Sequence, residues 1–151
     1  MVVGIDPGKK GGIVVLKLDG SLLSYRPMCE AYELAEYLRG RSILRCYVER
    51  SQSMPSQGSK SMFTYGTGYG KILGVLETLK VSYETIPPQR WQKVMIPQAS
   101  KGTTKKEALK KAKQLFPHEN FILKGCRIAH DGIVDALLIA EYGRGLHGVG
   151  A

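Results

Sequence analysis

The sequence predicts a mixed α/β fold: one sheet with helices packed on its faces. Three observations predict it. Short β-branched runs near the N-terminus are separated by tight turns. Amphipathic helical segments then alternate with further short apolar runs, the order expected of strands joined through helices. The last long apolar stretch, residues 133–140, is too continuous for a surface helix and reads as a buried one.

Residues 1–6 form the first strand, since Val2, Val3 and Ile5 favour extended backbone. Residues 7–12 are a turn-rich loop of Pro, Gly and Lys. Residues 13–18 and 22–26 are two further strands, joined by the hairpin signal Asp19-Gly20. These three strands make an antiparallel meander. Residues 31–38 have helical apolar spacing, with Gly40 as the stop. Residues 44–49 are the fourth strand; a strand reached through a helix enters the sheet parallel to an earlier one.

Residues 51–60 form a polar loop containing Pro55 and Gly58. A long helix is expected over residues 61–79, with Met62, Tyr65, Tyr69, Leu73 and Leu76 as one apolar stripe. Gly66, Gly70 and Gly74 form a second line. Each interior glycine costs about 1 kcal/mol relative to alanine. Such a line implies close approach by a sheet, a partner helix or a phosphate backbone, or tight packing within the chain. Residues 81–86 are the fifth strand, ended by Pro87-Pro88. Residues 89–95 form a short helix whose Trp91 reads as a core anchor. Residues 104–116 form an amphipathic helix, with Thr104 and Glu107 resembling a capping box. The last helix covers residues 130–142, and the Gly-rich tail 143–151 reads as flexible.

A chain of 151 residues suits a single domain, 1–151. Lys and Arg number 22 against 13 Asp and Glu, a formal charge of +9. That surplus favours an anionic partner, above all nucleic acid. Cys29, Cys46 and Cys126 are too widely spaced for a metal-type pair, and a reducing cytoplasm suits them. No signal peptide is evident, and no apolar run reaches the roughly 18 residues that span a bilayer, so no membrane partner is expected.

Against this basic background stand four acids. Asp6 and Glu49 each end an apolar strand. Asp131 and Asp135 lie four apart at the start of the buried helix, where about 100° per residue puts them on one face. His130 points roughly 140° away from Asp135 on the same geometry, which suits a cap or a DNA contact better than a ligand role. Taken singly, each acid has an ordinary explanation. Asp6 could shape a turn before Pro-Gly, Glu49 could pair with Arg50, and Asp131 could cap its helix. Together, at two strand ends and a helix, they would form an oxygen-ligand pocket for divalent cations.

Gly4-Ile5-Asp6-Pro7-Gly8 with Gly12 resembles the first motif of RuvC-type Holliday junction resolvases. Glu49-Arg50, followed by a polar loop and a helix, resembles the second. His130-Asp131-Gly132-Ile133-Val134-Asp135-Ala136-Leu137 resembles the third. Order and spacing agree over nearly the whole chain, and the shortness of the chain together with the Gly-Tyr-Gly-rich helix looks most like the phage-borne branch. The resemblance implies an RNase H-like fold, a homodimer, and Mg²⁺-dependent cleavage of four-way DNA junctions, with Mn²⁺ as an alternative ion. It assigns Asp6, Glu49, Asp131 and Asp135 to two metal ions. Bacterial members space their last two ligands three apart, with Asp or His first; here that position is Gly132, so the resemblance passes the role to Asp131, with His130 as the lesser alternative. Gln52 stands where bacterial members often carry a stacking aromatic, and Phe63 or Tyr65 is a possible substitute.

Two-metal hydrolysis holds its cations about 3.5–4 Å apart and would leave a 5′ phosphate and a 3′ hydroxyl. Asp6 would bridge both ions. Lys9, Lys10, Arg50, Gln52, Lys60, Lys101, Lys105 and Lys106 are the expected DNA contacts. Two other readings stay open: an RNA-processing nuclease of the YqgF type, and a non-catalytic binder of branched DNA.

Overall fold

The computed structural model describes residues 1–50 and 58–148. Most of the polar loop expected over residues 51–60, with Gln52, lies outside the described residues, as does the end of the C-terminal tail.

Five strands form one mixed sheet. In chain order they are β1 (Val2–Asp6), β2 (Gly12–Leu16), β3 (Leu22–Pro27), β4 (Arg45–Glu49) and β5 (Tyr83–Ile86). In space the order is β3-β2-β1-β4-β5. β1, β2 and β3 are antiparallel, as the tight turns require. Gly20 takes φ +89 in the β2–β3 turn, a left-handed conformation that glycine adopts without strain. β4 joins β1 and β5 joins β4 in parallel, as expected of strands reached through helices.

The helices are α1 (Ala31–Leu38), α2 (Ser59–Thr78), α3 (Pro88–Met95), α4 (Thr104–Leu115) and α5 (Asp131–Gly145). They split between the two faces of the sheet. Alternation along the strands separates two cores. Val3, Ile5, Cys46 and Val48 pack with α1 and the C-terminal half of α2. Val2, Val14, Leu16 and Tyr47 pack with α3, α4 and α5. Every residue from Ala136 to Ala140 is buried, which confirms that α5 is the buried helix its apolar run predicted. The cysteines Cys29, Cys46 and Cys126 are free thiols.

Several details differ from the sequence reading. β5 begins at Tyr83 rather than at residue 81. Thr103, not Thr104, is the N-cap of α4, and no capping box forms there: Glu107 accepts from Gln98 Nε2 instead. Among the described residues, a capping box forms instead at α1, between Glu30 and Glu33. The tail is not free from Gly143, because α5 runs on to Gly145. Arg144 is buried, pairs with Glu141 and donates to Leu18 O at 3.4 Å, which ties the helix end to the β2–β3 hairpin. The glycine line of α2 packs against nothing within the described chain: a Cβ on Gly66, Gly70 or Gly74 would meet no described atom within 4 Å.

Candidate active site

β1 and β4 run side by side and in register, with Ile5 opposite Val48. The next residue on each strand is the acid, so Asp6 and Glu49 stand together at the C-terminal edge of the sheet. Strand alternation puts both on the face that carries α5, because Val2 and Tyr47 of that core share their parity.

Glycines bring α5 down onto that face. A Cβ on Gly4 would fall inside contact distance of the backbone of Ala136 and Ala140. A Cβ on Gly12 would meet the carbonyl of Gly132, and one on Gly132 would meet Lys10 and Gly11. The backbones of Gly11 and Gly132 touch closely enough to form an isolated parallel bridge. With the helix this close, Asp135, one turn into α5, lies within the electrostatic influence of the two strand acids. His130 supplies the cap, its Nδ1 accepting from the Ile133 N–H at 3.3 Å, as helix geometry predicted.

The electrostatics follow from this placement. Burial pushes the Asp6 carboxyl up to about 7, and the charge of Glu49 adds to the rise. Burial pushes Asp135 up to about 8, reinforced by Asp6, then Glu49, then Asp131. Burial also raises Glu49, while a hydrogen bond from the Trp91 indole works against the rise. Burial raises all three carboxyls, and Asp135 feels the charge of the other two, an environment that favours a nearby positive charge.

Asp131 takes a different position. It shares a face with Asp135, as expected, but its carboxylate is exposed and accepts from Lys105 Nζ at 2.6 Å. Among the described residues, no group of three His, Cys, Asp or Glu side chains is arranged to hold a metal ion as it stands. The four acids therefore lie in one electrostatic field without forming a closed ligand cage.

The expected DNA contacts are spread around this edge. Lys9 and Lys10 are exposed on the loop that follows Asp6, and Arg50 is exposed directly after Glu49. Lys9 and Lys60 line a cavity of about 1040 Å³ between that loop, α1 and the start of α2, together with Phe63, Tyr65 and Lys71. Phe63 is 77% exposed, so it is no core residue. Lys101 and Lys106 are exposed at the start of α4, beside Lys105.

Sequence reasoning missed two contacts. Trp91 is the core anchor it was expected to be, yet its Nε1–H also donates to Glu49 Oε2 at 2.7 Å. The signal for that bond was faint: an amphipathic indole in the first turn of the helix that follows the strand next to Glu49. The Lys105–Asp131 pair joins residues 26 apart on different helices, and no local pattern announces it.

The sheet order, the acids at two neighbouring strand ends and the facing acid-bearing helix define an RNase H-like fold. No known protein-family pattern matches the sequence, and no curated protein matches it closely enough to count as a relative. Solved structures do match. RuvC of T. thermophilus in complex with Holliday junction substrate superposes with TM-score 0.72 at 16% identity, covering 97% of this chain and 94% of that one. A second Thermus thermophilus RuvC structure gives TM-score 0.64 at 18% identity, with 98% and 96% covered. The Fowlpox virus resolvase, in complex with substrate Holliday junction DNA, gives TM-score 0.57 at 14% identity, with 97% and 99% covered. The chain thus has the RuvC-like fold along essentially its whole length.

Proposed function

We propose that this chain is a divalent-metal-dependent DNA endonuclease that resolves four-way junctions by paired nicks, working as a homodimer. The proposal is supported by Asp6 and Glu49 at neighbouring strand ends of a RuvC-like sheet, on the face that carries α5 and Asp135, inside a protein of charge +9. The structural neighbours support the substrate, since two of them were solved on Holliday junction DNA.

The donor set suits Mg²⁺ or Mn²⁺. All the acids offer hard oxygen ligands, and Asp6 and Asp135 are carboxyls whose ionised forms burial disfavours. A cation would stabilise those forms. Asp6, Glu49 and Asp135 are the proposed ligands, with Asp131 joining once it leaves Lys105. Bound there, the ions would supply a water of lowered pKa and charge stabilisation of the leaving 3′ oxygen, giving 5′ phosphate and 3′ hydroxyl ends. The remaining work falls to the chain's own residues. Lys9 and Lys10 hold the phosphate backbone beside Asp6. Arg50, Lys60, Lys101 and Lys106 hold flanking phosphates and set the register of the strand. Lys105, released from Asp131, adds another phosphate contact.

A gel assay with a synthetic four-way junction, a fork, a linear duplex and an RNA strand, each with and without Mg²⁺, tests this. The junction should be cut only with Mg²⁺. Asp6→Asn and Asp135→Asn should bind the junction and leave it whole. Normal cutting by either variant rejects the site, and cutting of RNA alone would move the reading to an RNA-processing nuclease.

A further inference from the structure

The proposed mechanism gives no task to one buried donor at the site, the indole N–H of Trp91. The ring is fully buried, packed in the core with Ile86, Met95 and residues of α5. Its place is set from two sides. Pro87 and Pro88 fix the start of α3 immediately after β5, and β5 pairs in register with β4, Glu49 opposite Ile86. The indole cannot shift without opening a large cavity. Its N–H is therefore a fixed point, 2.7 Å from Oε2 of Glu49.

A glutamate at a strand end has three side-chain torsions and would otherwise wander. The geometry points to Trp91 as the positioning residue of the metal site: its N–H pins one oxygen of Glu49, so the other is presented to a divalent cation as a preoriented single donor. Outer-shell donors of this kind orient ligating carboxylates. The inference rests on Glu49 being a cation ligand, as proposed above. It adds a residue that no acid-based motif contains, and it couples the core packing of α3 to the site.

The chain has a single tryptophan, which makes the test unusually clean. Global incorporation of benzothienylalanine, whose sulfur replaces the indole N–H, removes this one donor and keeps the shape. Mg²⁺ binding to the full-length chain is followed by calorimetry, and in the parent also by Trp91 emission. The parent should show a saturable emission change over the calorimetric range. The isostere should bind Mg²⁺ about 10–100-fold more weakly. It should need correspondingly more Mg²⁺ for junction cleavage, with nearly parental cutting once saturated and an unchanged circular dichroism spectrum. Trp91→Phe, which also lacks the donor, should shift the Mg²⁺ dependence in the same direction. Parental Mg²⁺ affinity in the isostere overturns the inference. Glu49→Gln separates the two levels: if it leaves Mg²⁺ binding unchanged, the ligand assignment itself fails. If it weakens binding while the isostere does not, only the role of Trp91 is rejected.

Discussion

Asp6 and Asp135 are held up to about 7 and about 8, first by burial and then by neighbouring acids. A carboxyl raised in this way keeps its proton more tightly in the folded state than in the unfolded one. Its favourable contribution is complete below the unfolded value near 4, and it is lost as pH rises through the folded values. In chelator, the protein should therefore lose stability steadily from about pH 4 to about pH 8 and level off above. Asp135→Asn removes one of these liabilities and should melt roughly 2–8 °C above the parent at pH 9. Thermal melts in EDTA across this range check both statements, and a parent with flat stability contradicts them. Adding Mg²⁺ at pH 9 should restore stability to the parent far more than to Asp135→Asn, because a ligand of the folded state stabilises by its affinity. At this scale the sequence was informative about Asp6, Glu49 and Asp135, since an acid ending a strand or opening a buried helix breaks an apolar pattern. It was silent about Lys105, because an exposed ion pair between two helices leaves no periodic trace.

At the scale of elements, glycines do two opposite jobs. Gly4, Gly12 and Gly132 are small because α5 rests its backbone on the sheet there. Gly4→Ala drives a methyl into the Ala136–Ala140 backbone, and it should cost roughly 3 kcal/mol or more in urea unfolding while abolishing cleavage. On α2 the glycines meet no described atom within 4 Å. Gly70→Ala should stabilise an isolated chain by about 0.5–1 kcal/mol, through helix propensity and a less free unfolded state. A loss of stability or of dimer at that substitution would mean that a second chain packs on the glycine line. Sequence pattern alone could not tell these jobs apart, because glycine spacing records only that something small is tolerated. Element order was fully legible, since turns, prolines and periodicity act locally. Boundaries drifted where tertiary contacts decide, as at the end of α5, where Arg144 is drawn to Glu141 and the hairpin.

Over the whole molecule, the surplus of positive charge should dominate affinity for DNA. On the Asp6→Asn background, fluorescence anisotropy across a NaCl series should show affinity falling steeply with salt. Replacing Lys9 and Lys10 together by alanine should reduce the log–log slope by about two and weaken every DNA sequence alike. An unchanged slope would remove that loop from the interface. None of the described helices is long and apolar enough to cross a membrane. The architecture was legible in outline because strand and helix periods alternate clearly. The β1–β4 register and the depth at which α5 sits, which set how near the acids come to one another, were not. That depth has a thermal corollary. β1 has a strand on either side and helices above and below. Asp6 hangs from the strand that should open last in hydrogen exchange, so fraying of the outer strands should leave cutting intact. Enzymatic inactivation on heating and cooperative melting should then trace a single curve.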